Sequence, residues 1–245
     1  MNHHCANRST GGGAGPSNVA ARVLELFQIT GSASFAVRAA LEETGAQYAT
    51  IDVHPRRRDE IAGFALVNPL KRVPALRDGD VTVYETSAAL QYVAERFPEA
   101  RLAPSPGDRL RGPYLRWLAW LGNTLHHAWQ PVNSPRFISD DPAAHEGIRH
   151  KGRQRLDAIG AYLEDELTGK EWCLGADYSV ADIYLYMLVG WQSYVEGGYV
   201  LGGDAVAAHY ACVGARPAIA WTRELEDLDE RLQRHHPELR GGRPI

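Results

Sequence analysis

The sequence has little cysteine: three residues (Cys5, Cys173 and Cys212) in 245, none at a short spacing from another. This excludes a disulfide framework and a cysteine-based zinc site, and it fits a reducing compartment. No apolar run approaches the about 18 residues that would cross a membrane. There is no excess of basic charge either, since the net charge is −4. We therefore expect a soluble, cytoplasmic protein that binds neither membrane nor nucleic acid.

Residues 1–21 lack the apolar segment of a secretory signal and are rich in Gly, Ser and Asn. This composition predicts a flexible tail. His3, His4 and Cys5 are potential metal ligands, but adjacent side chains on a mobile tail make a weak site. We predict no bound metal.

The pattern of residues 22–101 predicts a thioredoxin-like α/β domain. A β-rich run at Val23–Ile29 precedes a helical pattern that Gly45 ends, and a second strand follows. A short helix then ends before Asn68-Pro69. A hairpin around Asp78-Gly79-Asp80 and one more helix complete the order.

Residues 102–112 are turn-rich and predict a linker. Strand patterns largely vanish from residue 113 onward, so residues 113–245 predict an all-α helical-bundle domain. The predicted helices of this domain cover residues 113–129, 146–167, 177–195 and 216–234.

The string NPLKRVPAL (Asn68–Leu76) places a proline directly before a predicted strand, where it removes a ladder donor. With a cis Val73-Pro74 bond, the N–H and C=O of Val73 would be free to pair with a peptide ligand. With the commoner trans bond, the string is a plain edge strand. Both alternatives stay open on this string alone.

A second string, VYETSAAL (Val83–Leu90), passes from a strand into a helix, with Thr86 or Ser87 as the expected N-cap. Free N–H groups and the dipole at a helix start favour a carboxylate ligand. The Glu85 carboxylate would suit an ammonium group of the same ligand. In the alternative interpretation, Thr86 only caps the helix and Glu85 is solvated.

A third string, GADYSVADI (Gly175–Ile183), has Ser179 and Asp182 at the spacing of a capping box, which predicts a folding role. Together the three strings resemble the glutathione S-transferase family, and the resemblance covers about residues 22–232. It implies glutathione as co-substrate and a homodimer.

The resemblance also implies roles for the matching residues of the first two strings. Val73 and Pro74 would clamp the cysteinyl backbone of glutathione. Glu85 and Thr86 would hold the carboxylate and ammonium of its γ-glutamyl end, and Arg72 would reach its glycyl carboxylate.

In this family, the group that activates the glutathione thiol lies between the first strand and the first helix, here residues 30–34. This segment has no tyrosine or cysteine, and Phe27 stands where tyrosine-type members carry their tyrosine. The resemblance therefore implies a serine-type enzyme. Ser32 is the first candidate for the activating hydroxyl, Ser34 the second and Thr30 the third. Alternatively, Ser34 caps the helix and Ser32 only lines the turn.

The pocket for a hydrophobic electrophile is expected between the two halves, along the first helix after the linker. Each candidate there has core packing as its alternative role, and the resemblance to bacterial beta-like members adds His126. The candidates are Tyr114, Trp117, Trp120, Leu121, His126, His127 and Trp129.

Two classes of function stay open. The first is a glutathione transferase that activates the thiol for attack on a small hydrophobic electrophile; isomerase, dehalogenase and ether-cleaving enzymes would use the same site. The second is a non-catalytic, transferase-like protein that binds partners. The complete set of matching residues favours the enzyme.

Overall fold

The structure is a computed structural model that describes residues 23–235, with side chains described through residue 227. The predicted tail at 1–21, with His3, His4 and Cys5, lies outside these residues. Among the described helices, none is both long enough and apolar enough to cross a membrane.

The N-terminal half is a thioredoxin-like α/β unit, as predicted. Its elements are β1 (Leu24–Gln28), α1 (Ser34–Thr44), β2 (Tyr48–Asp52), α2 (Phe64–Val67), β3 (Ala75–Asp78), β4 (Val81–Tyr84) and α3 (Thr86–Arg96). Within the described residues, four strands form one sheet in the order β2-β1-β3-β4. β2 runs parallel to β1, and the other two pairs are antiparallel.

The central strand β1 is buried on both faces, which explains its apolar sequence. Leu24 and Leu26 belong to the large core shared with α1, α3 and the helical half. Phe27 belongs to a smaller cluster on the opposite face, where its ring stacks on Phe64 with centroids 5.0 Å apart. Phe27 is therefore a core residue. Gly45, at φ 66°, ends α1 as expected.

The C-terminal half is helical, as predicted. Its elements are α4 (Arg111–Trp120), a π-helical turn (Leu121–Leu125), α5 (His126–Ala128), α6 (Gln130–Asn133), α7 (His145–Leu167), α8 (Val180–Gly190), α9 (Asp204–Gly214) and α10 (Pro217–His235). The domain boundaries proposed from the sequence stay predictions.

Two helical predictions need correction. The first long helix begins at Arg111 rather than at residue 113, and the π-helical turn interrupts it. The sequence prediction also missed α9, because its small alanines give little periodic contrast between a buried and an exposed face. The high helix propensity of alanine is the signal that would have found it.

The predicted capping box at the start of α8 is present. Ser179 Oγ accepts from the Ala181 N–H at 3.3 Å, and Asp182 accepts from the Ser179 N–H at 2.9 Å. Asp182 also accepts from the Cys173 N–H at 2.7 Å and bonds His209 Nε2 at 2.9 Å. Cys173, Asp182 and His209 place potential metal-ligand atoms within 4.8 Å of one another. Because backbone donors already occupy the Asp182 oxygens, we assign this cluster a folding role.

Candidate functional site

The register of the sheet brings three chain segments to one edge. Ala75, the first residue of β3, pairs with Phe27 of β1 and with Tyr84 of β4. The segments that continue past these three residues are residues 29–34, 73–74 and 85–86. Since neighbouring strands lie about 4.8 Å apart, the segments span about 10 Å. This is about the length of an extended tripeptide.

The middle segment is the Val73-Pro74 loop. Its peptide bond is cis, the first of the two alternatives that the sequence left open. Pro74 is buried and Val73 is partly buried. Among the described residues, the Val73 N–H and C=O have no hydrogen-bond partner. These groups are therefore available to the backbone of a peptide ligand.

Asn68 shapes this loop, and the sequence prediction gave it no such role. Its side chain is 2% exposed, Nδ2 donates to the Arg72 C=O at 2.8 Å, and Oδ1 accepts from the Leu70 N–H at 3.0 Å. The capacity of Asn to bond the backbone two residues on is the signal that could have found it.

Arg72 is exposed beside the loop, and its charge acts on a second cation, Arg58. Burial and the charge of Arg72 both lower the pKa of Arg58. Arg58 Nε is buried and has no hydrogen-bond partner among the described residues. Two neighbouring guanidinium groups favour an anionic ligand group at this end of the site.

The third segment begins α3, and here the predicted cap is wrong. The N-cap position is Glu85, not Thr86 or Ser87, and no side chain caps the helix. Thr86 and Ser87 are the first two residues inside the helix, and the Ser87 hydroxyl donates to the Leu118 C=O at 2.9 Å. Glu85 has φ 69°, a conformation that costs free energy for a residue with a side chain. The first N–H groups of α3 are thus open to an anion.

Residues of the helical half support the start of α3. The buried Tyr184 hydroxyl lies beside the Thr86 and Ser87 side chains, and His126 Nδ1 bonds it at 2.7 Å. Burial, with a smaller contribution from the charge of His127, lowers the pKa of His126 to about 4. His126 is therefore a neutral support for the α3 start.

The π-helical turn fits closely against the same support. A Cβ added at Gly122 would lie 2.7 Å from Ser87 Oγ, so only glycine allows this approach. π-helical turns of this kind often occur at functional sites.

The first segment contains two buried serine hydroxyls in contact. Ser32 Oγ and Ser34 Oγ are 2.8 Å apart, and both lie within hydrogen-bond distance of the Ile29 C=O, at 2.6 and 2.9 Å. Ser34 Oγ accepts from the Ile29 N–H at 3.1 Å, and Ser32 Oγ accepts from the Ser34 N–H at 3.2 Å. Ser34 does not cap α1 from the N-cap position, which is Ala33.

Exposure separates the three hydroxyl candidates. Ser34 is 1% exposed and Ser32 is 6% exposed, so Ser32 lies nearer the surface. The Thr30 hydroxyl oxygen is buried and has no partner among the described residues. The structure brings all three together next to the Val73-Pro74 loop.

Most of the proposed electrophile-pocket residues are core residues. Tyr114, Trp117, Leu121 and Trp129 are buried, and the Trp120 ring packs against Tyr162. The reason is that their helix turns these aromatic side chains into the bundle rather than toward the sheet.

A short turn at residues 191–194 faces the site instead. The Trp191 ring lies 4.9 Å from the His126 ring, edge to face. The Tyr194 hydroxyl lies 2.9 Å from where a Cβ on Gly31 would stand. Tyr194 is 47% exposed. The sequence prediction did not select either residue for the pocket.

The fold and this sheet edge define a class: a thioredoxin-like unit with an open, peptide-sized binding edge, followed by a helical domain. A family sequence model described as "Glutathione S-transferase, N-terminal domain" matches residues 22–95. Glutathione S-transferase GstA of Escherichia coli O157:H7 is 27% identical over 208 residues, which is 84% of this chain and all of the relative. Maleylacetoacetate isomerase of Pseudomonas aeruginosa is 30% identical over 163 residues, covering 63% of this chain and 74% of the relative.

A solved structure described as a sphingomonad glutathione S-transferase complexed with glutathione is 32% identical. It matches with a TM-score of 0.71 over 83% of this chain and 99% of that chain. The chain belongs to the glutathione S-transferase family, and the prediction of a glutathione transferase enzyme is confirmed.

Proposed function

We propose that the protein activates the thiol of glutathione for attack on a small hydrophobic electrophile. The observation that carries this is the register at Ala75, beside which residues 29–34 (the serine loop, with Ser32 and Ser34), Val73 and the α3 start lie side by side. Glutathione is the co-substrate, as the sequence predicted. The similar sphingomonad enzyme was solved with this ligand.

The three segments suit the three parts of glutathione. The open N–H groups of the α3 start, at Thr86, would bind the γ-glutamyl carboxylate, and Glu85 would pair with its ammonium. Val73 would pair with the cysteinyl backbone, beside Pro74. Arg72, whose charge acts together with that of Arg58, would bind the glycyl carboxylate. This arrangement directs the thiol to the serine loop.

The serine loop can donate one hydrogen bond to a ligand without leaving any of its own hydrogen-bonding groups near Ile29 unpaired. If Ser32 turns its O–H toward the thiolate, the Ile29 C=O still accepts two hydrogen bonds. One comes from the Ser32 N–H, at 3.1 Å, and the other from the Ser34 O–H. Ser32 Oγ still accepts the hydrogen bond from the Ser34 N–H. We therefore assign Ser32 as the hydroxyl that stabilises the thiolate and Ser34 as the residue that holds the loop.

The reaction is then a sulfur–carbon bond formation. The thiol proton leaves to solvent, and the thiolate sulfur forms a bond to an electrophilic carbon, from which a leaving group departs with its electron pair. Trp191 and Tyr194 offer an aromatic wall to a hydrophobic electrophile on this side of the loop. A homodimer and a cytoplasmic location stay part of the proposal.

The test is the ultraviolet thiolate absorbance of bound glutathione as a function of pH, for wild type, Ser32→Ala and Ser34→Ala. A free thiol has a pKa of about 8.5. We expect wild type to lower it, and Ser32→Ala to return it toward the free value at nearly unchanged glutathione affinity. Ser34→Ala should mainly lower the unfolding temperature, since Ser34 bonds both backbone groups of Ile29.

An unshifted thiol in wild type would refute thiol activation, and absent glutathione binding would favour a partner-binding relative. If Ser34→Ala restores the free pKa and Ser32→Ala does not, the assignments of the two hydroxyls are exchanged.

A second candidate, an isomerase, is favoured by the similarity to maleylacetoacetate isomerase. An isomerase would add the thiolate to a double bond and expel it again, so no thiol is consumed. Free thiol measured during turnover of maleylacetoacetate separates the two: a transferase consumes it, and an isomerase leaves it constant.

A further inference from the structure

The turn that carries Ser32 is bound by the helical half of the protein. The Gly31 N–H donates to Glu226 Oε2, on α10, at 2.9 Å. Gly31 has φ 74°, and Tyr194 lies against it from the 191–194 turn. Gly31 is thus enclosed by two side chains from the opposite half of the chain, immediately before Ser32.

The position of Glu226 follows from how α10 packs along α1. At the C-terminal end of α1, Glu43 forms a two-pronged ion pair with Arg216, the residue directly before α10, with distances of 2.6 and 2.8 Å. The Arg216 guanidinium also lies 3.7 Å from the Tyr178 ring centroid. At the N-terminal end of α1, Glu226 from the middle of α10 reaches the turn that precedes α1. α10 therefore contacts both ends of α1.

We propose that Glu226 is a positioning residue for thiol activation: by binding the Gly31 N–H, its carboxylate fixes the turn that directs the Ser32 hydroxyl at the glutathione thiol. This rests on the proposed function and adds a residue of the last helix to it.

The local geometry shows why one hydrogen bond matters here. The Ser32 N–H bonds the Ile29 C=O at 3.1 Å, closing a tight turn in which Gly31 is the residue with the left-handed backbone. Glycine has more conformational freedom than any other residue, so this turn needs an external contact to hold one orientation. Glu226 supplies that contact, and a small rotation of the turn would redirect Ser32 Oγ.

The experiment compares Glu226→Ala, Glu226→Gln and a control, Glu224→Ala, an exposed residue of the same helix. Each is measured for kcat, KM for glutathione, the pKa of the bound thiol and thermal unfolding. Glu226→Ala should lower kcat about tenfold and raise the thiol pKa toward its free value. KM should change less than about twofold, because Val73, Glu85 and Thr86 are untouched.

Glu226→Gln should restore most of kcat, because its amide oxygen still accepts from the Gly31 N–H. Its bound thiol should be at least as ionised as in wild type, since the nearby negative charge is gone. If Glu226→Ala does not fold, Glu226→Met, which keeps the side-chain length without the carboxylate, replaces it.

A wild-type thiol pKa and kcat in the folded Ala or Met variant would overturn the inference while the proposed function stands. If wild type itself leaves the thiol pKa unshifted, the proposed function fails and the inference fails with it. That outcome is visible before any variant is made.

Discussion

The starts of α3 and α8 are built in opposite ways. At α8, Ser179 and Asp182 bond each other's backbone, and Asp182 is fully buried. At α3, the N-cap residue Glu85 is exposed, makes no capping bond and has φ 69°. One helix start is satisfied by its own sequence, and the other is left open at the sheet edge.

The difference shows which helix start serves folding and which serves binding. A satisfied cap stabilises the native state and has no donor left for a ligand. An open cap keeps its N–H groups for an anion, and its strained backbone lowers the stability of the free protein. Tyr184 and His126, from the helical half, stabilise the α3 start in this conformation. The comparison predicts opposite responses to mutation at the two sites.

The largest effect is expected at the satisfied start. Asp182→Ala removes the acceptor of the Ser179 and Cys173 N–H groups and the partner of His209, all of them buried. The free energy of unfolding should fall by about 3–5 kcal/mol, as when a buried polar network loses one member. Urea denaturation measures it.

The control for this variant is Asp177→Ala, an exposed residue just before the same helix. It should cost less than about 0.5 kcal/mol. Glutathione affinity of any folded Asp182→Ala protein should match wild type. A stability loss below about 1 kcal/mol would show that α8 does not depend on this box.

The next effect concerns the support beneath the open start. His126 has a pKa of about 4 in the folded protein, and about 6.5 when unfolded. Between these pH values the unfolded chain holds the proton and the folded protein does not. The His126 contribution to stability is therefore intact above pH about 6.5 and is lost as the pH falls to about 4, by about 2–3 kcal/mol in total.

Unfolding free energies at pH 7 and pH 5 check this prediction. His126→Gln should remove this part of the pH dependence, whereas His127→Gln, at the exposed neighbouring position, should retain it. Equal pH dependence in wild type and His126→Gln would contradict a partly buried, neutral His126.

Several parts of the fold and of the candidate site could be predicted from the sequence, because they depend on short patterns of neighbouring residues. The Ser179–Asp182 spacing and the hairpin around Gly79 each depend on a few neighbouring residues, whereas the Val73-Pro74 string left the cis and trans bonds open. The predicted α3 cap was wrong because the N-cap position is Glu85, whose φ of 69° is not indicated by the residue types of this segment. The Gly31–Glu226 contact joins nearly opposite ends of the described chain, and no local pattern encodes it.

The smallest effect on stability, and the one with opposite signs for folding and binding, is expected at Glu85. Glu85→Gly should raise the free energy of unfolding by about 1 kcal/mol, because glycine adopts positive φ at lower cost. It should also weaken glutathione binding about tenfold, since the partner of the γ-glutamyl ammonium is lost. Thermal unfolding and calorimetric titration with glutathione measure the two effects.

Two controls separate the backbone from the charge. Arg101, which also has a positive φ of 54°, lies outside the site, so Arg101→Gly should raise stability without changing affinity. Glu85→Gln keeps a side chain at φ 69° and removes only the charge, so it should weaken binding without a gain in stability. If Glu85→Gly binds glutathione like wild type, the strained residue is not retained for the ligand.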